Sequence, residues 1–155
     1  MAAWIITIQT AVAIVLQFIG GWLGDRIPKN VALFIFTIIQ GAGVVFLTLG
    51  PGILNFYIFA VLFGIGFGGR TPLTTAIRGE YFGRASFGKI LGISTVPMNI
   101  LLLIAPPLAG FMRDELGDYD MAFLLLAGLN TLGAVLFLIA RKPKLKGLVN
   151  VGAAA

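Results

Sequence analysis

Long apolar runs separated by short polar connections dominate the chain. Five runs stand out, at residues 3–24, 31–49, 53–77, 90–112 and 121–140. Each approaches or exceeds the roughly 20 residues that a helix needs to cross the hydrocarbon core of a bilayer. None shows the alternation of polar and apolar positions that marks a barrel strand. Backbone groups in lipid must be paired internally, and a helix does this within its own segment. The pattern predicts an all-α integral membrane protein with five transmembrane helices in a single domain over residues 1–147. A small-residue tail, 148–155, is expected to be disordered. The first run lacks the basic start of a secretory signal and exceeds its apolar length, so it reads as a true span. Gly50, Pro51 and Gly52 form a tight turn between the second and third runs.

The polar connections add an orientation. Arg26 and Lys29 follow the first run, and nothing charged follows the second. Arg78, Arg84 and Lys89 follow the third, whereas the fourth is followed by Arg113 among acidic residues. Arg141, Lys142, Lys144 and Lys146 follow the fifth. Basic and non-basic connections therefore alternate. Lys and Arg are kept on the cytoplasmic side, which predicts an outside amino terminus and a cytoplasmic carboxyl terminus. In a bacterial-type cell this means the plasma (inner) membrane.

Composition removes other classes. Of 155 residues 59% are hydrophobic and 11% charged, against roughly 25% charged in soluble domains. The mean hydropathy is +1.02. The chain has no cysteine and no histidine, so thiolate metal sites, cysteine nucleophiles and histidine bases cannot be built. No catalytic set, metal or cofactor is expected, and the lipid bilayer is the first partner. The net charge of +5 sits in connections and forms no basic groove with stacking aromatics, so nucleic acid is not expected.

Three stretches resemble a known family. Gly21, Leu23, Gly24, Asp25, Arg26 and Lys29 are spaced like the loop signature of the major facilitator superfamily. Gly64, Gly68, Arg70 and Pro72, leading into Arg78–Arg84, are similar to the same family, as is Ala105–Asp114 followed by Leu116–Tyr119. The last two are most similar to its monocarboxylate and oxalate–formate branch. The resemblance covers residues 3–142 and implies a register: a partial carboxyl-terminal bundle, helices eight to twelve of a twelve-helix secondary transporter. It further implies a missing amino-terminal half, Met1 as an internal or artificial start, and a small-molecule solute, with an organic anion in view. Two positions depart from the signature. Pro28 stands where the family has glycine and stiffens the turn. Asn30 stands where a second basic residue is common. Anion carriers of this branch often hold a cation on the eighth or eleventh helix; the first and fourth runs here have none at mid-depth.

Candidate site residues follow from polar side chains inside the apolar runs. Arg70 is the one cation within a run, about 12 Å along the helix from Arg78 at 1.5 Å per residue, which puts it in the inner leaflet rather than at the mid-plane. An intramembrane cation costs at least ~2.5 kcal/mol on insertion scales and normally faces a bundle interior or a watery cavity. Thr74 shares its helical face. Solute contact, pairing with Asp25 or Glu80, and snorkelling to the surface are the three readings of Arg70. Gln17, near Thr7 and Thr10, and Asn99, beside Pro97, Ser94 and Thr95, are candidates for cavity lining; an interhelical hydrogen bond is the alternative. Asn130 reads as packing. Gly21, Asp25, Arg26 and Lys29 form a candidate cytoplasmic gate, in which Asp25 pairs with an arginine or caps a helix; a solvated turn that only sets topology is the alternative. Gly64, Gly68 and Pro72, spaced by four, suit close helix approach. At the level of the whole chain, a non-transporting membrane interaction module is the alternative to part of a transporter.

Overall fold

The computed structural model describes residues 2–50, 52–83 and 86–140. The basic residues Arg84, Arg141, Lys142, Lys144 and Lys146, and the tail 148–155, lie outside the described residues. Five helices alternate in direction: α1 (Ala2–Gly24), α2 (Lys29–Phe46), α3 (Ile53–Phe82), α4 (Phe87–Leu116) and α5 (Asp120–Ile139). All five are long and apolar enough to cross a membrane.

The ends differ from the apolar runs in a consistent way. α3 continues past residue 77 to Phe82, and α4 starts at Phe87 and continues past residue 112 to Leu116. α2 begins at Lys29, and its far end tightens into a 3-10 turn at Leu47–Leu49. Hydropathy marks where the hydrocarbon ends, whereas the backbone ladder stops only where a residue breaks it. Gly83 (φ 75°) and Gly117 (φ 86°) are those residues for α3 and α4. Both adopt a positive φ that costs glycine nothing, and the amide of Gly117 donates to the carbonyl of Arg113.

α3 lies between α1 and α2, and α5 packs on the opposite flank of α2. Lipid tails are as apolar as leucine, so helices here associate by close packing rather than by escape from water. Glycines on two faces of α3 provide that closeness. Toward α1, a Cβ on Gly64 would stand 2.7 Å from the carbonyl oxygen of Gln9, and one on Gly68 would strike the Ala13 backbone. Toward α2, Gly66 faces the Phe36 carbonyl and Gly69 faces the Phe36 ring. Gly20 meets Gly69, and Gly24 receives the Leu73 side chain. The small-residue spacing thus does what the sequence suggested for Gly64 and Gly68. The core is formed by Ala32, Leu33 and Phe36 of α2 with Leu73 and Ile77 of α3. α4 stands apart. It runs as one helix through Pro97, Pro106 and Pro107, with none of its residues buried.

One end of the bundle is tied by side chains. Lys29 at the start of α2 pairs with Glu80 near the end of α3, at 2.6 Å. The Asn30 amide donates to the carbonyl of Ala140, just past α5. The Tyr81 hydroxyl lies 3.1 Å from Asn30 Oδ1 and 3.3 Å from the same carbonyl. The starts of α2 and the ends of α3 and α5 therefore meet, which gathers Arg26, Lys29, Arg78 and Lys89 at a common end of the alternating bundle.

Candidate functional site

A cavity of about 770 Å³ opens among α2, α3, α4 and α5. Three polar residues line it: Thr37 of α2, Arg70 of α3 and Asn130 of α5. Local sequence brings them together. Gly66, one turn before Arg70, lets α3 lie against the backbone of Phe36 in α2, next to Thr37. Gly41 leaves room for the amide of Asn130, since a Cβ there would be 2.9 Å from Asn130 Nδ2. That amide donates to the Thr37 carbonyl at 2.6 Å, and the Thr37 hydroxyl donates to the Leu33 carbonyl at 2.6 Å. Gln40, one turn from Thr37, is buried with its side-chain oxygen unpartnered.

Arg70 carries the fixed charge of the cavity. Among the described residues the one ion pair is Lys29–Glu80, so no described carboxylate reaches the guanidinium. This corrects one alternative from the sequence: Glu80 pairs with Lys29 and not with Arg70, and Asp25 is exposed at the turn after α1. Half-buried Arg70 thus presents a rigid fork of N–H donors to a mostly apolar, partly open cleft.

The other candidates lie elsewhere. The Thr74 hydroxyl turns back onto the Arg70 carbonyl, and the cavity lining does not include it. Gln17 and Asn99 are exposed on the outer surface of the helices and also stand outside the lining. Ser94 and Thr95 both bond the carbonyl of Leu91 within α4. In the turn motif, Gly21 has no neighbour that a Cβ would meet. Arg26 lies over the Trp22 ring at 4.2 Å to its centroid, a cation–π contact. Asp25 joins no ion pair among the described residues, and Pro28, the residue before α2, gives that helix no side-chain cap. Thr37 was not singled out from sequence. Its signal is the spacing Thr37, Gln40, Gly41, a small polar patch within an otherwise apolar run. Asn130 does pack, as read, and it also lines the cavity that Arg70 lines.

Apolar helices joined through glycine contacts around a membrane-embedded cation define a polytopic membrane protein. The match to known families is specific: the profile of the Major Facilitator Superfamily covers residues 1–154, and the chain belongs to that family. It is 28% identical over 124 residues to monocarboxylate transporter 13 of Rattus norvegicus, covering 79% of this chain and 29% of that protein. It is 28% identical over 131 residues to monocarboxylate transporter 11 of Homo sapiens, covering 79% and 28%. It is 30% identical over 128 residues to monocarboxylate transporter 12 of Xenopus laevis, covering 80% and 28%. The chain thus spans less than a third of the length of these relatives. No solved structure matches it.

Proposed function

We propose that the chain forms helices eight to twelve of a secondary active transporter that moves a small organic anion by alternating access. An amino-terminal half completes the carrier, and the two halves rock about a site near the bilayer midplane. The observation that carries this reading is Arg70, unpaired with any described carboxylate and lining one cavity with Thr37 and Asn130, in a chain whose relatives are monocarboxylate transporters. A guanidinium in a mostly apolar site favours a carboxylate, which it can hold through two parallel N–H···O bonds. Charge alternation supports a cytoplasmic carboxyl terminus in the plasma membrane. In this reading the Gly21–Lys29 turn belongs to the cytoplasmic gate. The Lys29–Glu80 pair and the Asn30–Tyr81–Ala140 contacts close that end and part on opening.

The test is uptake of labelled lactate by cells expressing the full open reading frame that contains these residues. Arg70→Gln is expected to lower uptake at least about tenfold, the equivalent of ~1.4 kcal/mol, at unchanged surface abundance; Arg70→Lys should restore part of it. Unchanged uptake in Arg70→Gln would remove Arg70 from the site. A stable chain that moves no anion would favour the membrane interaction module.

A further inference from the structure

We infer that Gln40 is a positioning residue for Arg70: its buried side-chain oxygen accepts from one edge of the guanidinium and aims the other edge into the cavity. The positioning role rests on the reading of Arg70 as the cation that meets the solute; the contact itself does not.

The first observation is an unmet acceptor. Gln40 is 6% exposed, and its Oε1 is buried without a hydrogen-bond partner. A buried acceptor left unpaired is costly, and folded proteins keep few of them. The open side of the cavity does not account for this burial, because the chain's own helices enclose Gln40. A Cβ on Gly66 of α3 would stand 2.5 Å from Gln40 Cβ.

Few donors surround that oxygen. The Thr37 hydroxyl is committed to the Leu33 carbonyl, and the Thr131 hydroxyl to the Ala127 carbonyl. Asn130 gives one amide hydrogen to the Thr37 carbonyl and lies over Gly41, on the α5 side of α2. Arg70 has a fork of five N–H donors, and no described carboxylate reaches it.

Helix geometry brings the two side chains together. α2 and α3 run in opposite directions. The Phe36 ring lies against Gly69, and Gln40 Cβ against Gly66. Arg70 therefore sits one turn, roughly 5.4 Å, from the level of Gln40. Residues four apart share a helical face, so Arg70 stands on the side of α3 that Gly66 turns to α2. Each Cα–Cβ bond tilts toward the amino terminus of its own helix. Gln40 thus leans toward the level of Arg70, and Arg70 leans back toward the level of Gly66. The two converge where Gly66 contributes no side chain.

The consequence is orientation. A guanidinium is planar, with its donors in a fixed fork. A bond from one edge to Gln40 sets that plane. The other edge is then ready to make two parallel bonds to an anion.

The experiment uses the protein of the full open reading frame, purified in detergent for thermal unfolding and expressed in cells for labelled lactate uptake. Gln40→Glu places a carboxylate where the inferred acceptor lies. Beside Arg70 it should keep or raise the unfolding midpoint. In the Arg70→Gln background the same change buries an unpaired charge and should lower the midpoint by at least about 2 °C. Gln40→Glu should also occupy the fork and cut uptake to the level of Arg70→Gln. Gln40→Met, of similar size but without the acceptor, should raise the KM of uptake at least about fivefold with a smaller change in maximal rate. Equal midpoint shifts of Gln40→Glu in both backgrounds, or its failure to fold beside Arg70, would overturn the contact. Should the loss follow Asn130→Leu instead of Arg70→Gln, the acceptor belongs to Asn130 and the inference falls. Coupled unfolding with an unchanged KM in Gln40→Met would overturn the positioning role and leave a structural bond. A parent that moves no lactate removes the solute reading and the positioning role with it, whereas the unfolding comparison still decides the contact.

Discussion

α3 and α4 have the same length, 30 residues each, and nearly opposite packing. α3 buries Gly64, Gly66, Gly68 and Gly69 against two neighbours, whereas α4 buries nothing. In water an unburied helix of such composition would be a fault. In a bilayer it is not, because lipid solvates leucine as well as protein does. The contrast separates two properties that hydropathy confounds. Apolar character puts a helix in the membrane; small residues decide which helix it touches.

The largest expected break in that comparison is Gly66→Leu. Its side chain would meet the Phe36 carbonyl and Gln40, and overpacking of this kind costs about 1–3 kcal/mol, more where backbone is struck. It should appear as loss of the monodisperse peak or a large fall in the unfolding midpoint. Gly92→Leu in α4, where a Cβ meets nothing within 4 Å, should stay within about 0.5 kcal/mol of the parent. Equal losses would show that α4 packs against a surface from outside the described residues. A smaller effect is expected at the α2–α5 contact. Asn130→Leu removes the amide bond to the Thr37 carbonyl, and such interhelical bonds average about 0.6 kcal/mol. Asn99→Leu, on the exposed surface of α4, should cost less; a larger loss there would assign Asn99 a partner. The smallest effect is expected for Lys29→Ala. Its partner Glu80 is 52% exposed, and pairs of that kind contribute about 0.2–1 kcal/mol, reduced by salt. A double-substitution cycle with Glu80→Gln measures it, and a coupling well above that range would mark the contact as shielded from water.

Much of this was legible in the sequence because a bilayer imposes a length. Runs such as Met121–Ala140 admit few structures other than a spanning helix. The ends were less legible, since the charged segment Arg78–Phe82 continues the ladder of α3 beyond the apolar run. Arg70 was legible as a lone cation among apolar neighbours. Its surroundings were not. Periodicity reports which residues share a face of one helix, as Arg70 and Thr74 nearly do, but not which neighbour that face meets. Thr37 and Asn130 come from helices far apart in sequence and line one cavity with Arg70 only through tertiary packing. Gln17 and Asn99 looked equally suitable by polarity, and their faces turned outward.

The unequal reach of neighbouring helices has a mechanical consequence. At 1.5 Å per residue, α4 with 30 residues extends about 45 Å, whereas α5 with 20 extends about 30 Å, near the hydrocarbon thickness. The rim of the molecule is therefore taller on one flank than on the other. Acyl chains match only the apolar run of α4, residues 90–112 or about 35 Å, so they stretch a little beside it, or that helix leans, and either response costs fractions of a kcal/mol per ångström. Such a stepped rim gives the molecule a built-in preference for how it seats among thick and thin lipid domains.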